Sequence, residues 1–192
     1  MRLFVAIELD ERPRSRLEEV QAGLRPHCDG VRWVRPELLH LTVKFLGEVA
    51  DSRVPEVSEA VVQAAATVEP FTMTITGCGC FPPDGSVRIV WVGAEDASGT
   101  LDRCLESVDA ELSRIGFPPE RRPASPHITI GRVRADRSGG AVRSAVQAFH
   151  YREVHQAVNS VTLMSSVLSP KGPTYAAVGG MKFGPQESGP NQ

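Results

Sequence analysis

Two short segments of the chain share a pattern of histidine and threonine that is suited to acid–base chemistry. The first is His40-Leu41-Thr42-Val43 and the second is His127-Ile128-Thr129-Ile130. Because neighbouring residues of a β-strand point to opposite faces, each segment would present one imidazole and one hydroxyl together, with two apolar side chains behind them. The imidazole pKa lies near neutrality, so one ring can accept a proton while the other donates one.

Two opposed histidines suit substitution at phosphorus, because one takes a proton from the incoming oxygen and the other gives a proton to the leaving oxygen. The hydroxyls of Thr42 and Thr129 can donate hydrogen bonds to the non-bridging oxygens, where charge accumulates. This chemistry requires no metal, and we predict no cofactor. A single motif of this kind is more often an exposed strand histidine beside a threonine. Its recurrence at matched spacing favours His40 and His127 as catalytic residues.

The elements around the two motifs follow the same order. Arg2 and His40 are 38 positions apart, and Arg88 and His127 are 39 apart. Hydrophobic periodicity predicts helices over residues 11–24, 53–67, 100–115 and 140–149, and strands over residues 3–9, 71–76, 88–92, 127–133, 158–167 and 175–183, with 32–49 extended around the first motif. We therefore predict an α+β fold of two pseudo-symmetric lobes, each an antiparallel sheet with helices packed outside, facing each other across a central cleft.

The length of 192 residues fits one such bilobal domain. We assign it to residues 1–183, with an internal duplication whose halves span roughly 1–80 and 87–170. The remaining residues 184–192 have the polar, Gly/Pro-rich composition of a flexible tail.

Three residues that follow the motifs are further candidates. Lys44 shares strand parity with Thr42 and could add positive charge to the pocket, although a lysine at a strand end is commonly solvated. Phe45 could stack on a base, the alternative being a core position. Arg132 falls on the buried face by ideal alternation, but Gly131 permits a bulge that would redirect it.

Composition limits the possible partners. A formal net charge of −2 argues against a broad basic surface that coats nucleic acid, so any such contact must be local. The N-terminal residues become acidic too soon for a signal peptide, and no apolar run approaches the roughly 18 residues of a membrane span. We expect a cytoplasmic monomer without membrane contact. The four cysteines contain no C-x-x-C pair and are expected to be reduced, buried residues rather than zinc ligands.

The two motifs, the approach Val31-Arg32-Trp33-Val34-Arg35-Pro36 and the run Lys44-Phe45-Leu46-Gly47-Glu48-Val49 resemble the 2H phosphoesterase superfamily. The likeness is closest to its RNA 2',3'-cyclic phosphodiesterase branch, historically called 2'-5' RNA ligase. It implies a bilobal fold and hydrolysis of a terminal 2',3'-cyclic phosphate to a 2'-phosphomonoester. By motif position, His40 would be the proton donor and His127 the proton acceptor, while Arg132 would contact phosphate.

Three alternatives stay open at this point. The same histidines could join RNA ends through the reverse, 2'-5' ligase reaction. The substrate could be a small cyclic nucleotide instead of RNA with a 2',3'-cyclic phosphate terminus. The chain could also bind RNA ends without catalysing a reaction, which intact histidines make the weakest of the three.

Overall fold

The protein has an α+β fold, seen in a computed structural model that describes residues 1–120, 125–134, 140–170 and 172–185. The strands are β1 (Arg2–Glu8), β2 (Val31–Trp33), β3 (His40–Glu48), β4 (Phe71–Phe81), β5 (Ile89–Glu95), β6 (His127–Val133), β7 (Val154–Val158), β8 (Ser160–Ser169) and β9 (Gly172–Lys182). The α-helices are α1 (Glu11–Leu24), α2 (Val54–Ala66), α3 (Thr100–Arg114) and α4 (Ala141–Ala148). Short 3-10 helices span Arg25–His27, Pro36–Leu38 and Asp51–Arg53.

All strands pair antiparallel in the order β7-β4-β5-β6-β3-β1-β8-β9, with β2 beside β6. At the centre, β3 and β6 share the single residue pair Leu41–Ile128. This narrow junction separates a lobe of β7, β4, β5, β6 and β2 from a lobe of β3, β1, β8 and β9. Helices α2 and α3 contact β9 and β3 of one lobe, while α1 and α4 contact β7 and β4 of the other. The predicted bilobal α+β fold is confirmed.

Each lobe takes strands from both halves of the chain. Strand β4 pairs with β5 and β7, whereas β8, only one residue after β7, pairs with β1 in the other lobe. The side chain of Gln156 on β7 fixes this crossing, because it accepts a hydrogen bond from the Asp10 amide at 2.9 Å and donates one to the Glu8 carbonyl at 2.8 Å. The strand predicted over 158–167 corresponds to β8, and β7 before it was not predicted. The proposed duplication stays a prediction.

The helices bury the stripes that their periodicity predicts. Helix α1 has the predicted bounds, and α2 buries Val57, Ala60, Val61, Ala64 and Ala65 on one side. None of the helices in the described ranges is long and apolar enough to span a membrane. All four cysteines are free thiols. From residue 186 onward, the predicted tail lies outside the described residues.

Candidate active site

The junction of the two lobes brings the motifs together. The side chains of Leu41 and Ile128, which pair across β3 and β6, are fully buried. Residues on either side of this pair alternate to the opposite face and are partly exposed towards the cleft. Four predicted residues lie there: His40, Thr42, His127 and Thr129. Because the two strands are antiparallel, the histidine of each motif lies level with the threonine of the other.

Both histidine rings are anchored through the same local hydrogen bond. Nδ1 of His40 lies 2.8 Å from the carbonyl oxygen of Leu38, and Nδ1 of His127 lies 2.7 Å from that of Ser125. A carbonyl oxygen can only accept, so Nδ1 carries the proton in each ring. Nε2 is then the nitrogen that gains or loses a proton during a reaction.

Aromatic side chains hold both rings from the side. The ring of His40 has its centroid 5.0 Å from that of Phe4 and 5.3 Å from that of Tyr175, the latter edge-on at 87°. The ring of His127 lies 5.0 Å from Phe81 at 79° and 6.3 Å from Trp91. Sequence reasoning missed these four aromatic residues as parts of the site, because strand pairing brings them there.

Burial favours the neutral form of His40 in the free protein. Its pKa is lowered from the ordinary value mainly by burial, with the positive charge of Arg132 acting in the same direction. The hydrogen bond to the Leu38 carbonyl and the carboxylate of Glu8 oppose this shift. Arg132 therefore lies close enough to act on His40.

A β-bulge follows each threonine at the same position. On β3, Thr42 pairs with Ala6 but Lys44 pairs with the next residue, Val5, so Val43 is the extra residue. On β6, the pairing moves from Thr129–Trp91 directly to Gly131–Val90, so Ile130 is the extra residue. Each bulge reverses the alternation of the residues after it.

The bulge in β3 turns Lys44 away from the cleft, so the parity-based prediction that placed it beside Thr42 is wrong. The Lys44 side chain is buried, and its Nζ contacts the carboxylate of Asp109 on α3 and lies 2.8 Å from the carbonyl oxygen of Pro118. Phe45 instead points outward, 61% exposed, with its ring 5.9 Å from that of Phe4. The structure thus puts Phe45 on the face that carries His40.

The bulge in β6 turns Arg132 outward and Gly131 inward. A Cβ atom at Gly131 would lie 2.6 Å from Cγ1 of Val31 and 3.3 Å from the ring of Trp33. Because β2 covers this position so closely, a side chain has no room there. The redirection of Arg132 that Gly131 suggested is present in the structure.

The comparisons show that the chain is a member of a phosphoesterase family. The chain belongs to the LigT like Phosphoesterase family, which it matches over residues 7–91 and again over 92–175. It is 35% identical over 176 residues to the RNA 2',3'-cyclic phosphodiesterase of Methanothermobacter thermautotrophicus, covering 91% of this chain and 95% of the relative. The family prediction is therefore confirmed.

Solved structures show the same architecture. The crystal structure of a Thermus thermophilus protein, TT0787, superimposes with a TM-score of 0.76 at 30% identity, covering 97% of this chain and 100% of that one. E. coli LigT complexed with 3'-AMP gives a TM-score of 0.74 at 24% identity, covering 95% and 97% of the two chains. The second likeness supports the fold alone.

Proposed function

We propose that this protein hydrolyses the 2',3'-cyclic phosphate at the end of an RNA and leaves a 2'-phosphomonoester. The observation that carries the proposal is the matched pair of histidines, each with Nδ1 bonded to a backbone carbonyl and Nε2 left for proton exchange. A relative that is 35% identical bears the name of this activity. The match to a family of phosphoesterases supports a phosphate ester as the substrate.

In the proposed reaction, Nε2 of His127 takes a proton from water, and the water oxygen bonds to phosphorus. The bond from phosphorus to the 3' oxygen breaks, and Nε2 of His40 gives its proton to that oxygen. The 2' ester bond remains, so the product carries a 2'-phosphate. One ring ends protonated and the other neutral, and exchange with solvent restores the starting state.

Arg132 and the two threonines would stabilise the charge that develops on the non-bridging oxygens. The lowered pKa of His40 in the free protein disfavours the protonated form that this mechanism requires. A bound phosphodiester brings a negative charge next to Arg132, which offsets the effect of its guanidinium on His40. Substrate binding would thus favour protonation of the proposed acid.

The test is to incubate the protein and excess chelator with a short RNA that ends in a 2',3'-cyclic phosphate, and to locate the product phosphate by phosphorus NMR. We expect a 2'-phosphate, formed at a rate that follows a bell-shaped pH profile between about pH 5 and pH 9. A 3'-phosphate would overturn the assignment of the leaving oxygen. Absence of product, or a flat pH profile, would overturn two-histidine catalysis.

A further inference from the structure

A second arginine lies directly beside Arg132. Strand β2 is only three residues long, yet it pairs with β6 so that Arg32 and Arg132 are Cα partners. Both side chains are exposed, and cross-strand partners project from the same face of a sheet. The flanking Val31 and Trp33 lie on the other face, against Gly131. Arg32 therefore shares the cleft face with Arg132.

The far side of Arg32 meets the hairpin between β8 and β9. A Cβ atom built on Gly172, whose φ is +115°, would lie 3.3 Å from Nη2 of Arg32. Three residues further along β9, Tyr175 packs edge-on against His40. The Arg32 side chain thus extends from β2, which lies beside β6 of one lobe, towards the hairpin of the other lobe that carries Tyr175.

The two arginines carry like charges at directly opposite positions of adjacent strands. Adjacent guanidiniums become favourable when an anion binds to them, because each can donate paired hydrogen bonds to phosphate oxygens. The Arg32–Arg132 pair has the chemistry of a phosphate subsite.

We propose that Arg32, next to Arg132, binds the phosphodiester that precedes the terminal nucleotide, so that the substrate class is an oligonucleotide rather than a free cyclic mononucleotide. This inference rests on the proposed function. Arg132 acts on His40, where the cyclic phosphate would react. The next anionic group along an RNA is the preceding phosphodiester, which a mononucleotide lacks. With a net charge of −2, the chain depends on local contacts of this kind.

The experiment compares kcat/KM for three substrates that end in a 2',3'-cyclic phosphate. These are a mononucleotide, a dinucleotide, and the dinucleotide with a neutral methylphosphonate as its internal linkage. We expect the wild-type protein to favour the charged dinucleotide over the other two by about tenfold, the effect of one charge-assisted hydrogen bond. Arg32→Gln should remove most of this preference, with a much smaller loss on the other two substrates.

Two further variants sharpen the comparison. Arg32→Lys keeps the charge and should retain part of the preference for the charged dinucleotide. Arg114→Gln removes an exposed arginine on α3 and should leave all three rates unchanged. For a longer RNA, Arg32→Gln should reduce the slope of log affinity against log salt by about 0.7, the value for one phosphate contact on a single strand.

The outcomes separate the two proposals. If the wild-type protein hydrolyses none of the three substrates, the proposed function fails. If it hydrolyses the charged and neutral dinucleotides equally well, or if Arg32→Gln lowers all three rates by the same factor, the second phosphate subsite is overturned and the proposed function stands. The comparison of the two linkages needs no variant, so it decides the matter even if Arg32→Gln does not fold.

Discussion

The two motif regions share a backbone geometry, a histidine and a threonine, but the side chains that follow the threonine differ. In both, a histidine begins a strand, its Nδ1 donates to the carbonyl two residues earlier, and a bulge follows the threonine. The bulge then turns inward Lys44 in one region and Gly131 in the other, and turns outward Phe45 and Arg132. The repeated backbone produces equivalent ring positions, while the differing side chains decide what surrounds each ring.

The charged surroundings of His40 and His127 also differ. Glu8 pairs with His40 across β1 and β3, whereas the residue that pairs with His127 is Gly93. Arg132, which comes from the His127 strand, lowers the pKa of His40. A residue of one lobe therefore acts on the histidine of the other lobe. A symmetric backbone with asymmetric charge would be a physical basis for the opposite roles that we propose for the two histidines.

Removing either imidazole should have the largest effect. We expect His40→Ala and His127→Ala each to lower kcat/KM by about 10³-fold, within the range for general acid–base catalysis. His150→Ala is a matched control, because His150 has the same Nδ1 bond to a carbonyl two residues earlier but follows α4 and is exposed. Steady-state kinetics on a cyclic-phosphate RNA, with thermal unfolding to verify the fold, would measure this. Near-normal activity in either variant would show that His40 and His127 do not act as a catalytic pair.

We expect Lys44, which faces inward after the bulge in β3, to stabilise the fold. Lys44→Met leaves the carboxylate of Asp109, which also accepts a hydrogen bond from the Glu120 amide at 3.1 Å, without its buried cation. We expect unfolding in denaturant to show a loss of about 3 kcal/mol in stability. Turnover per folded molecule should change little, because Lys44 faces α3 and not the cleft. A large fall in kcat with unchanged stability would show that Lys44 acts in the reaction.

The outward-facing Arg132 tests whether the charge asymmetry matters for the reaction. Arg132→Gln should lower kcat by about 10²-fold, as expected for loss of one preorganised donor to the developing charge. NMR titration of the free variant should also show the pKa of His40 raised relative to the wild type, since the arginine lowers it. Arg16→Gln, which removes a partly exposed arginine on α1, is the control. If neither the rate nor the His40 titration responds, Arg132 has no part in the site.

Local patterns in the sequence were sufficient for much of this site. The faces of His40 and Thr42 follow from strand alternation alone, and the bounds of α1 follow from helical periodicity. Local patterns do not predict which face of the sheet a residue occupies after a bulge, because a bulge depends on pairing with another strand. Gly131 gives a local signal for the bulge in β6. Val43 gives none, and for that reason parity misplaced Lys44.

Longer-range contacts were also beyond local patterns. Tyr175 reaches His40 because β9 pairs with β8, which in turn pairs with β1. No sequence periodicity reports that order of strands. Likewise, the chain crosses between lobes from β7 to β8 over the single residue Asn159, and the hydrophobic pattern predicted only the strand that corresponds to β8. Pairing between distant segments, rather than local propensity, carries this information.

The smallest expected effect concerns the stability of the free protein as pH falls. The pKa of His40 is lower in the folded state than in the unfolded state, where it lies near 6.5. As pH falls through about 6.5, the unfolded chain therefore binds a proton at this position before the folded protein does, and the folded state loses stability. Denaturant unfolding at about pH 7.5 and about pH 5 should show a larger loss for the wild type than for His40→Gln, which cannot titrate there. Arg132→Gln should fall between them, since the guanidinium causes part of the lowered pKa and burial causes the rest. If the wild type and His40→Gln lose the same stability, burial does not disfavour the charged imidazole. The asymmetry between the two motif regions would then have to arise only when substrate binds.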